Sequence, residues 1–173
     1  MMTLQPPLTD EIVRSLNAGD EVQITGIIYT ARDMAHKRIC EAIQAHQNLP
    51  FNLEGEIIYF VGPTPSPPGK VIGSAGPTTS SRMDPFSPIL YEQGLKATVG
   101  KGYRNSKVVE SLRKYNAVHM SAIGGAGALL SKYIKASRII AYEDLAAEAV
   151  RQLEVVDFPA VVAYDTQGNS VYK

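Results

Sequence analysis

Apolar and polar residues follow one another in short blocks along the chain, and the blocks predict strands alternating with helices. Four blocks are apolar, rich in β-branched residues and short, which is typical of buried strands. These predicted strands are Val22–Tyr29, Ile57–Val61, Ala97–Val99 and a short strand that contains His119. Four other segments have helix-start signals or apolar residues at helical spacing. The predicted helices run from Thr30 toward Ala45, from about Asp84 to Gln93, from Ser106 to Tyr115, and after Gly124-Gly125 through Leu129, Leu130 and Ile134.

The last third of the chain carries apolar blocks that follow one another closely. Strands are predicted at Ile139–Ala141, Val155–Val156 and Ala160–Tyr164, with a helix near Asp144–Ala149 and a turn at Asp165–Asn169. Such close spacing favours a mixed sheet over a purely parallel one. We therefore predict an α/β architecture with a mixed sheet, in one domain that spans residues 1–173. The pattern leaves the order of the strands open.

Charge and cysteine content narrow the class of function. The chain has 17 basic and 17 acidic residues and no basic block that could follow a phosphate backbone, so nucleic acid is not an expected partner. Cys40 is the only cysteine, which excludes an internal disulfide and any iron–sulfur or zinc site held by cysteines of this chain alone. Met1–Asp10 does not resemble a leader and no apolar run could span a bilayer, so we expect a cytoplasmic protein without membrane contact.

The segment Gly76–Asp84 (GPTTSSRMD) concentrates hydroxyl groups and a guanidinium in a predicted loop. Glycine and proline break regular structure at its start, and the hydroxyl run suits the cap of a following helix. Free N–H groups of that helix, together with Arg82, would suit a carboxylate or a phosphate. The segment therefore predicts an anion-binding site, and a turn followed by an ordinary helix cap is the alternative.

Three further cations stand beside loop or helix-start signals, namely Arg32, Lys101 and Arg104. Thr30 and Asp33 resemble a capping box, which would put Arg32 in the first turn of a helix. Lys101 lies between two glycines where a strand is predicted to end, and open α/β sheets commonly bind ligands at such ends. A single cation of this kind is usually a solvated surface residue, so the hypothesis depends on their joint placement.

Two other features are interpreted as structural. The segment Gly124–Ala128 (GGAGA) lacks the glycine spacing of a dinucleotide-binding loop, and close packing of a helix on a strand explains it better. His36 lies in a predicted helix and His119 in an apolar strand, and structural roles are favoured over acid–base chemistry for both.

Several motifs, taken in order, resemble one family. The motifs are Thr30–Arg38 (TARDMAHKR), Gly76–Asp84, Gly100–Ser106 (GKGYRNS), Ser121–Gly125 (SAIGG) and Val156–Ala160 (VDFPA). Together they resemble the β-subunit, or equivalently the C-terminal domain, of class I iron–sulfur fumarate hydratases and the related L(+)-tartrate dehydratases. The resemblance covers nearly the whole chain, and it implies a swivelling three-layer β/β/α domain.

The resemblance also implies roles for individual residues. Thr78 matches the threonine proposed as the catalytic base that removes the C3 proton of malate. Three cations match residues that bind the dicarboxylate or assist that base, and three further residues are candidates for supporting roles. The binding residues are Arg32, Arg82 and Lys101, and the supporting candidates are Thr79, Asp84 and Arg104. No residue of this chain is expected to bind a metal.

A cofactor and a partner follow from the same resemblance. A [4Fe-4S] cluster would be held by cysteines of an α-subunit, and the two chains would form a hetero-oligomer such as α2β2 that interconverts fumarate and (S)-malate. Asp84 and Arg104 are typical of the fumarase branch, whereas Tyr103 departs from the asparagine common in one-chain fumarases. The alternatives are an L(+)-tartrate dehydratase β-subunit and a non-catalytic dicarboxylate-binding module.

Overall fold

A computed structural model describes residues 1–123 and 127–172. Its strands are β1 (Met2–Leu4), β2 (Glu21–Thr30), β3 (Ile57–Tyr59), β4 (Ala97–Gly100), β5 (Val118–Ala122), β6 (Ile134–Ala141) and β7 (Val150–Tyr164). Its α-helices are α1 (Asp10–Arg14), α2 (Asp33–Gln44), α3 (Ser87–Glu92), α4 (Ser106–Tyr115) and α5 (Gly127–Leu130). Turns of 3₁₀ helix cover Ser80–Met83, Ser131–Tyr133 and Glu143–Glu148.

The seven strands form one mixed sheet, as the sequence predicts. Parallel pairing joins β1 through β5 in chain order, whereas β7 runs antiparallel to β2, β5 and β6. On one side of β7, Val161 pairs with Glu21 of β2, and on the other side it pairs with Ser121 of β5. The pairings of β2, β3, β4, β5 and β7 therefore close into a ring, with β1 and β6 attached outside it.

Two hydrophobic cores lie on the two faces of these strands. Successive side chains of a strand point to opposite faces. On β3, for example, Ile57 and Tyr59 belong to the core inside the ring, and Ile58 belongs to the core beneath the helices. The inner core gathers residues from every strand of the ring, and the outer core is completed by α2, α3 and α4. The three-layer arrangement and the swivelling movement that the family resemblance implies stay predictions.

Several predicted elements match the structure, and others need correction. Helix α4 begins and ends where the apolar spacing predicts, and the segment 165–169 forms the predicted turn. Val155–Val156 and Ala160–Tyr164 are not separate strands, because both belong to β7. Ile134 begins β6 instead of continuing a helix. Strand β1 and helix α1 were not predicted, and Gly124 and Gly125 lie outside the described residues.

The helix predicted from about Asp84 to Gln93 is shorter in the structure, where α3 covers Ser87–Glu92. A separate 3₁₀ turn, Ser80–Met83, precedes it. The predicted capping box is also absent from the start of α2. Thr30 is the last residue of β2, its hydroxyl accepts a hydrogen bond from the Arg151 N–H, and Arg32 occupies the N-cap position of α2 with extended backbone. Long-range pairing with β7 thus uses the hydroxyl that the local sequence assigns to the helix cap.

The parallel strands β2, β3 and β4 end at one edge of the sheet. Backbone hydrogen bonds continue the ladder past each strand, since Ala31 donates to the Tyr59 carbonyl and Phe60 donates to the Val99 carbonyl. The segments that follow these strands are therefore neighbours, although they are far apart in sequence. In the part of the chain that the structure describes, no helix has the length and apolar character needed to cross a membrane.

Two neighbouring valines of β7 test the position of the inner core. Val155 is fully buried in that core, whereas Val156 points outward and is 37% exposed. We expect Val155→Ala to lower the free energy of unfolding by about 2 kcal/mol, because it leaves a cavity in a closely packed interior. Val156→Ala, the matched control, should change it by less than about 0.5 kcal/mol. Urea unfolding of both variants measures the difference, and equal losses would contradict the assignment of the two faces.

Candidate active site

Three segments that follow β2, β3 and β4 bring the predicted hydroxyl and cationic residues to one edge of the sheet. The Thr78 N–H donates to the Phe60 carbonyl just beyond β3, at 2.7 Å. Thr79 forms a parallel bridge with Lys101, the residue that follows β4. The Ser80 N–H donates to the Lys101 carbonyl at 2.8 Å. The hydroxyl segment, residues 78–80, is thus hydrogen-bonded to the ends of two adjacent strands.

An ion pair connects this segment to the start of α2. The Nε and Nη2 atoms of Arg82 both lie 2.9 Å from Asp33 Oδ2. The Arg82 side chain is 52% exposed, so the pair contributes little to stability, about 1 kcal/mol or less. The pair links the 3₁₀ turn that carries Arg82 to the first residue of α2.

Arg32 approaches the same edge from the end of β2. Its side chain lies against Gly62, where an added Cβ would stand 2.8 Å from Arg32 Cδ and 3.0 Å from Nη1. Gly62 comes two residues after Phe60, the backbone partner of Thr78. Any residue with a side chain at position 62 would therefore displace the Arg32 guanidinium from the segment that leads to Thr78.

Four buried side-chain polar atoms lack a hydrogen-bond partner among the described residues, and two of them belong to adjacent residues at the start of α2. These two are Arg32 Nε and Asp33 Oδ1, and the others are His36 Nε2 and Arg151 Nε. Buried polar groups are nearly always paired, so each exception calls for a specific explanation. An unpaired guanidinium N–H suits a ligand that accepts hydrogen bonds, such as a carboxylate.

The formal charges of this edge favour an anionic ligand. Arg32, Arg82 and Lys101 contribute three cations, and Asp33 contributes one carboxylate. Thr78 is half-buried, whereas Thr79 and Lys101 are exposed. Backbone contacts thus place the segment that carries Thr78 beside Lys101, and Arg82 follows on the same segment. Arg32 approaches from the end of β2, against Gly62.

Arg104 and Asp84 lie beneath this edge. Arg104 Nε donates to Asp84 Oδ1 at 2.7 Å, and Arg104 Nη2 donates to Ser87 Oγ at 2.5 Å. The other carboxylate oxygen of Asp84 accepts from the Asn105 N–H at 3.0 Å. The Arg104 side chain has no exposed surface, so it contacts neighbouring loops and not the open edge.

Two buried histidines contact the site from below. His119 Nε2 lies 2.9 Å from Ser80 Oγ, and the backbone N–H and Nδ1 of His36 both lie 2.9 Å from the Arg32 carbonyl oxygen. Burial lowers the pKa of His36 from 6.5 to about 4. Burial, with the nearby charge of Arg104, lowers the pKa of His119 well below its usual value. Both rings are therefore neutral at pH 7, in keeping with the structural roles predicted for them.

Sequence reasoning missed several polar partners in and beneath the site. Asp33 lies at the edge, and the buried residues beneath it, here called the lower layer, include Ser80, Tyr91 and Thr98. Asp33 holds Arg82, Ser80 contacts His119, and Tyr91 and Thr98 bond to each other at 2.6 Å. Thr98 and His119 stand in apolar strands, where a polar residue needs a hydrogen-bond partner. A polar residue in an apolar strand therefore indicates a buried hydrogen bond, but the sequence does not identify its partner.

The described residues offer no metal site of their own. They contain no group of three histidine, cysteine or acidic side chains that could hold a metal ion. Cys40 is buried in α2, and burial raises the pKa of its thiol to about 11, so it is protonated at neutral pH. A thiolate ligand is therefore not available at this position.

The chain matches the family described as Fumarase C-terminus over residues 1–173. A putative class I fumarate hydratase of Geobacillus stearothermophilus is 37% identical over 100% of this chain and 34% of its own length. A putative L(+)-tartrate dehydratase subunit beta of Methanocaldococcus jannaschii is 39% identical over 96% of this chain and 88% of its own length. The anaerobic class I fumarate hydratase of Escherichia coli is 36% identical over 88% of this chain and 28% of its own length.

These similarities show that the chain belongs to the Fumarase C-terminus family. The family predicted from the motifs is thereby confirmed. The chain spans about a third of the length of the fumarate hydratases that it matches, and most of the length of the tartrate dehydratase subunit.

The buried histidines give the chain a testable pH dependence. A histidine whose pKa is lowered by folding binds its proton more readily in the unfolded chain, so stability falls as pH drops through the window from 6.5 to about 4. Between pH 7 and pH 5 we expect His36 alone to remove about 2 kcal/mol from the free energy of unfolding. His119 acts in the same direction.

Urea unfolding at the two pH values measures this loss. His36→Gln should be less stable at pH 7 but should lose less stability between pH 7 and pH 5 than the unsubstituted chain. His46 is exposed, and His46→Gln serves as the control with an unchanged loss. Equal losses in the His36 variant and the control would contradict a neutral, buried His36.

Proposed function

We propose that this chain is the β-type unit of an iron–sulfur hydro-lyase that interconverts fumarate and (S)-malate. The observation that carries the proposal is the placement of Thr78 with Arg32, Arg82 and Lys101 at one edge of the sheet. A dicarboxylate needs two cationic contacts, and proton removal beside a carboxylate needs a base together with stabilisation of the charge that develops. Membership of the family supports the same reaction class.

In this proposal, Thr78 exchanges the proton at C3 of the substrate. A threonine hydroxyl is normally far too weak a base, so the surrounding cations must stabilise its alkoxide. Arg32 and Arg82 would hold carboxylates, with the unpaired Nε–H of Arg32 as one donor. Lys101, bridged to Thr79 through the backbone, would assist the base and offset the negative charge that develops at the reacting carboxylate.

Three residues would support these groups without performing the chemistry. Thr79 links the hydroxyl segment to Lys101 through the backbone bridge. Asp84 and Arg104 form the buried pair beneath the segment, and we assign them to its support.

The remaining part of the site would come from a second chain. We propose an α-type partner that carries a [4Fe-4S] cluster and assembles with this chain, which acts as one domain over residues 1–173, in a hetero-oligomer such as α2β2. When bound, the cluster would supply a Lewis acid for the substrate's hydroxyl and carboxylate oxygens. The tartrate dehydratase relative is named as a subunit, which supports a two-chain assembly.

A specific observation favours a second candidate substrate. The tartrate dehydratase subunit of M. jannaschii matches this chain over 88% of its own length, so the two proteins have similar extents as well as similar sequences. L(+)-tartrate is also a 2-hydroxy dicarboxylate, and the same base and cations would serve its dehydration. Comparing kcat/KM for malate and tartrate on one preparation distinguishes the two candidates.

Thr78 gives the main test of the proposed reaction. This chain is reconstituted under anaerobic conditions with a cluster-bearing α-type partner, and fumarate hydration and tartrate dehydration are assayed in parallel. We expect activity only in the mixture, and Thr78→Ala should lower kcat about 10²- to 10⁴-fold because the base is lost. Thr78→Ser retains a hydroxyl and should retain more activity than Thr78→Ala.

The control variant for this test is Thr3→Ala, since Thr3 is exposed on β1. Full activity of Thr78→Ala would exclude Thr78 as the base. Failure with every dicarboxylate, given a verified cluster and complex, would favour a non-catalytic dicarboxylate-binding module.

Arg82 gives a second test, because its role is to bind charge. We expect Arg82→Met to lower kcat/KM by about 10²-fold, through lost stabilisation of the transition state. Arg82→Lys retains the charge but not the planar fork of donors, so it should recover only part of the loss. Arg14→Met, an exposed arginine at the end of α1, is the control. An unchanged kcat/KM in Arg82→Met would remove Arg82 from the site.

A further inference from the structure

A continuous set of buried hydrogen bonds runs beneath the hydroxyl segment, residues 78–80. It begins at Arg104, whose Nη1 lies 3.4 Å from Tyr91 Oη and 3.2 Å from His119 Nδ1. Tyr91 Oη lies 2.6 Å from Thr98 Oγ1, and Thr98 Oγ1 lies 2.7 Å from His119 Nδ1. On the opposite side of the His119 imidazole, Nε2 lies 2.9 Å from Ser80 Oγ.

The charge of Arg104 fixes the direction of these hydrogen bonds. A guanidinium only donates, so Tyr91 Oη and His119 Nδ1 accept from it. The Thr98 hydroxyl, at 2.7 Å, and the Arg104 N–H, at 3.2 Å, share the single lone pair of His119 Nδ1. The Tyr91 hydroxyl then donates to Thr98. With Nδ1 accepting, the proton of the neutral ring is on Nε2, and His119 donates to Ser80 Oγ.

His36 provides an internal comparison, because it has the opposite arrangement. Its Nδ1 lies 2.9 Å from the Arg32 carbonyl oxygen, which only accepts, so the proton of His36 is on Nδ1. Two buried neutral histidines of one chain are therefore assigned different tautomers by their neighbours.

Ser80 is tightly enclosed where it receives the hydrogen bond. Its backbone N–H is held by the Lys101 carbonyl, and an added Cβ at Gly100 would collide with Ser80 Oγ and would stand 2.8 Å from Phe60 Cδ2. The same Cβ would lie 3.3 Å from the Thr78 carbonyl oxygen. Ser80 Oγ and the Thr78 carbonyl oxygen therefore line the same small space beside Gly100.

We propose that His119 is a positioning residue of the candidate active site. As the Nε2–H tautomer it anchors Ser80, and through Ser80 it fixes the backbone of the segment on which the Thr78 hydroxyl is presented. This inference rests on the proposed function, in which Thr78 is the base. His119 does not touch the substrate in this arrangement, because it is fully buried.

The role has a kinetic signature. Substrate affinity comes from the cations at the edge of the sheet, which His119 does not contact. Misplacement of a catalytic group by about 1 Å can cost on the order of 10²-fold in rate. Loss of the anchor should thus lower kcat and leave KM nearly unchanged, whereas a merely structural role would lower the melting temperature at unchanged kcat per folded molecule.

The first measurement is independent of activity. Long-range ¹H–¹⁵N correlation spectra of the full chain at pH 7 distinguish the two neutral tautomers and the imidazolium form. We expect His119 as Nε2–H and His36 as Nδ1–H. An Nδ1–H or imidazolium form of His119 would overturn the inference, whatever the enzyme assay shows.

The second measurement uses the complex with the cluster-bearing partner. Ser80→Ala removes the acceptor and should lower kcat about tenfold with KM within about twofold. His119→Leu should lower kcat at least as much. His119→Gln places an amide N–H near the position of Nε2, so it should restore kcat to within about threefold of the unsubstituted enzyme.

His46→Gln controls for the loss of an unrelated histidine and should leave kcat unchanged. An unchanged kcat in Ser80→Ala, or no recovery in a folded His119→Gln, would overturn the inference while the proposed function stands. If the unsubstituted complex has no activity, the proposed function fails, and the positioning role fails with it even where the spectra show the expected tautomers.

Discussion

The arrangement of this protein depends on one permanently charged guanidinium in its interior. Arg104 cannot lose its proton, so folding must supply acceptors for its N–H groups. Asp84 supplies one from the residues just after the 3₁₀ turn Ser80–Met83, Ser87 and Tyr91 supply others from α3, and His119 supplies one from β5. The guanidinium also lies 5.3 Å from the centre of the Phe60 ring, next to β3. One side chain thereby fixes four segments relative to one another.

Such a buried pair contributes more to a defined arrangement than to stability. Desolvation of the two charges offsets most of their attraction, but any rearrangement that separates Arg104 from Asp84 would leave a charge unpaired, at a cost of about 3–5 kcal/mol. Competing positions of the loop after β3 are therefore disfavoured. The pair of Arg82 and Asp33 is bound much less strongly, since the Arg82 side chain is half exposed and water competes for it. The buried pair of Arg104 and Asp84 consequently keeps the lower layer fixed. The Arg82 guanidinium, by contrast, can exchange one carboxylate for another.

Local sequence predicted what depends on local interactions. Helix α4 was predicted to the residue, because its apolar spacing and its Asn105 cap are contained in the segment itself. The start and the continuity of β7 and the start of β6 were not, because their extent is determined by pairing with β2, β5 and each other. Thr30 shows the conflict directly, since a local capping signal gave way to a hydrogen bond with Arg151. The closed ring depends on contacts that no periodicity encodes.

The candidate site also divides into residues that local sequence indicates and residues that only the fold brings together. Thr78 and the three cations are candidates from residue type and motif, whereas Ser80, Tyr91 and His119 become relevant only once the fold brings them under the loop. At the edge of the sheet the chain presents an open surface, which would form one side of the site. Arg82 and Lys101 are exposed on this surface, and water would screen their charges. In the proposed enzyme, a second chain that covers this surface would exclude that water and strengthen each contact with the substrate. Rigidity of the lower layer then matters, because the two halves of the site must meet within a fraction of an ångström.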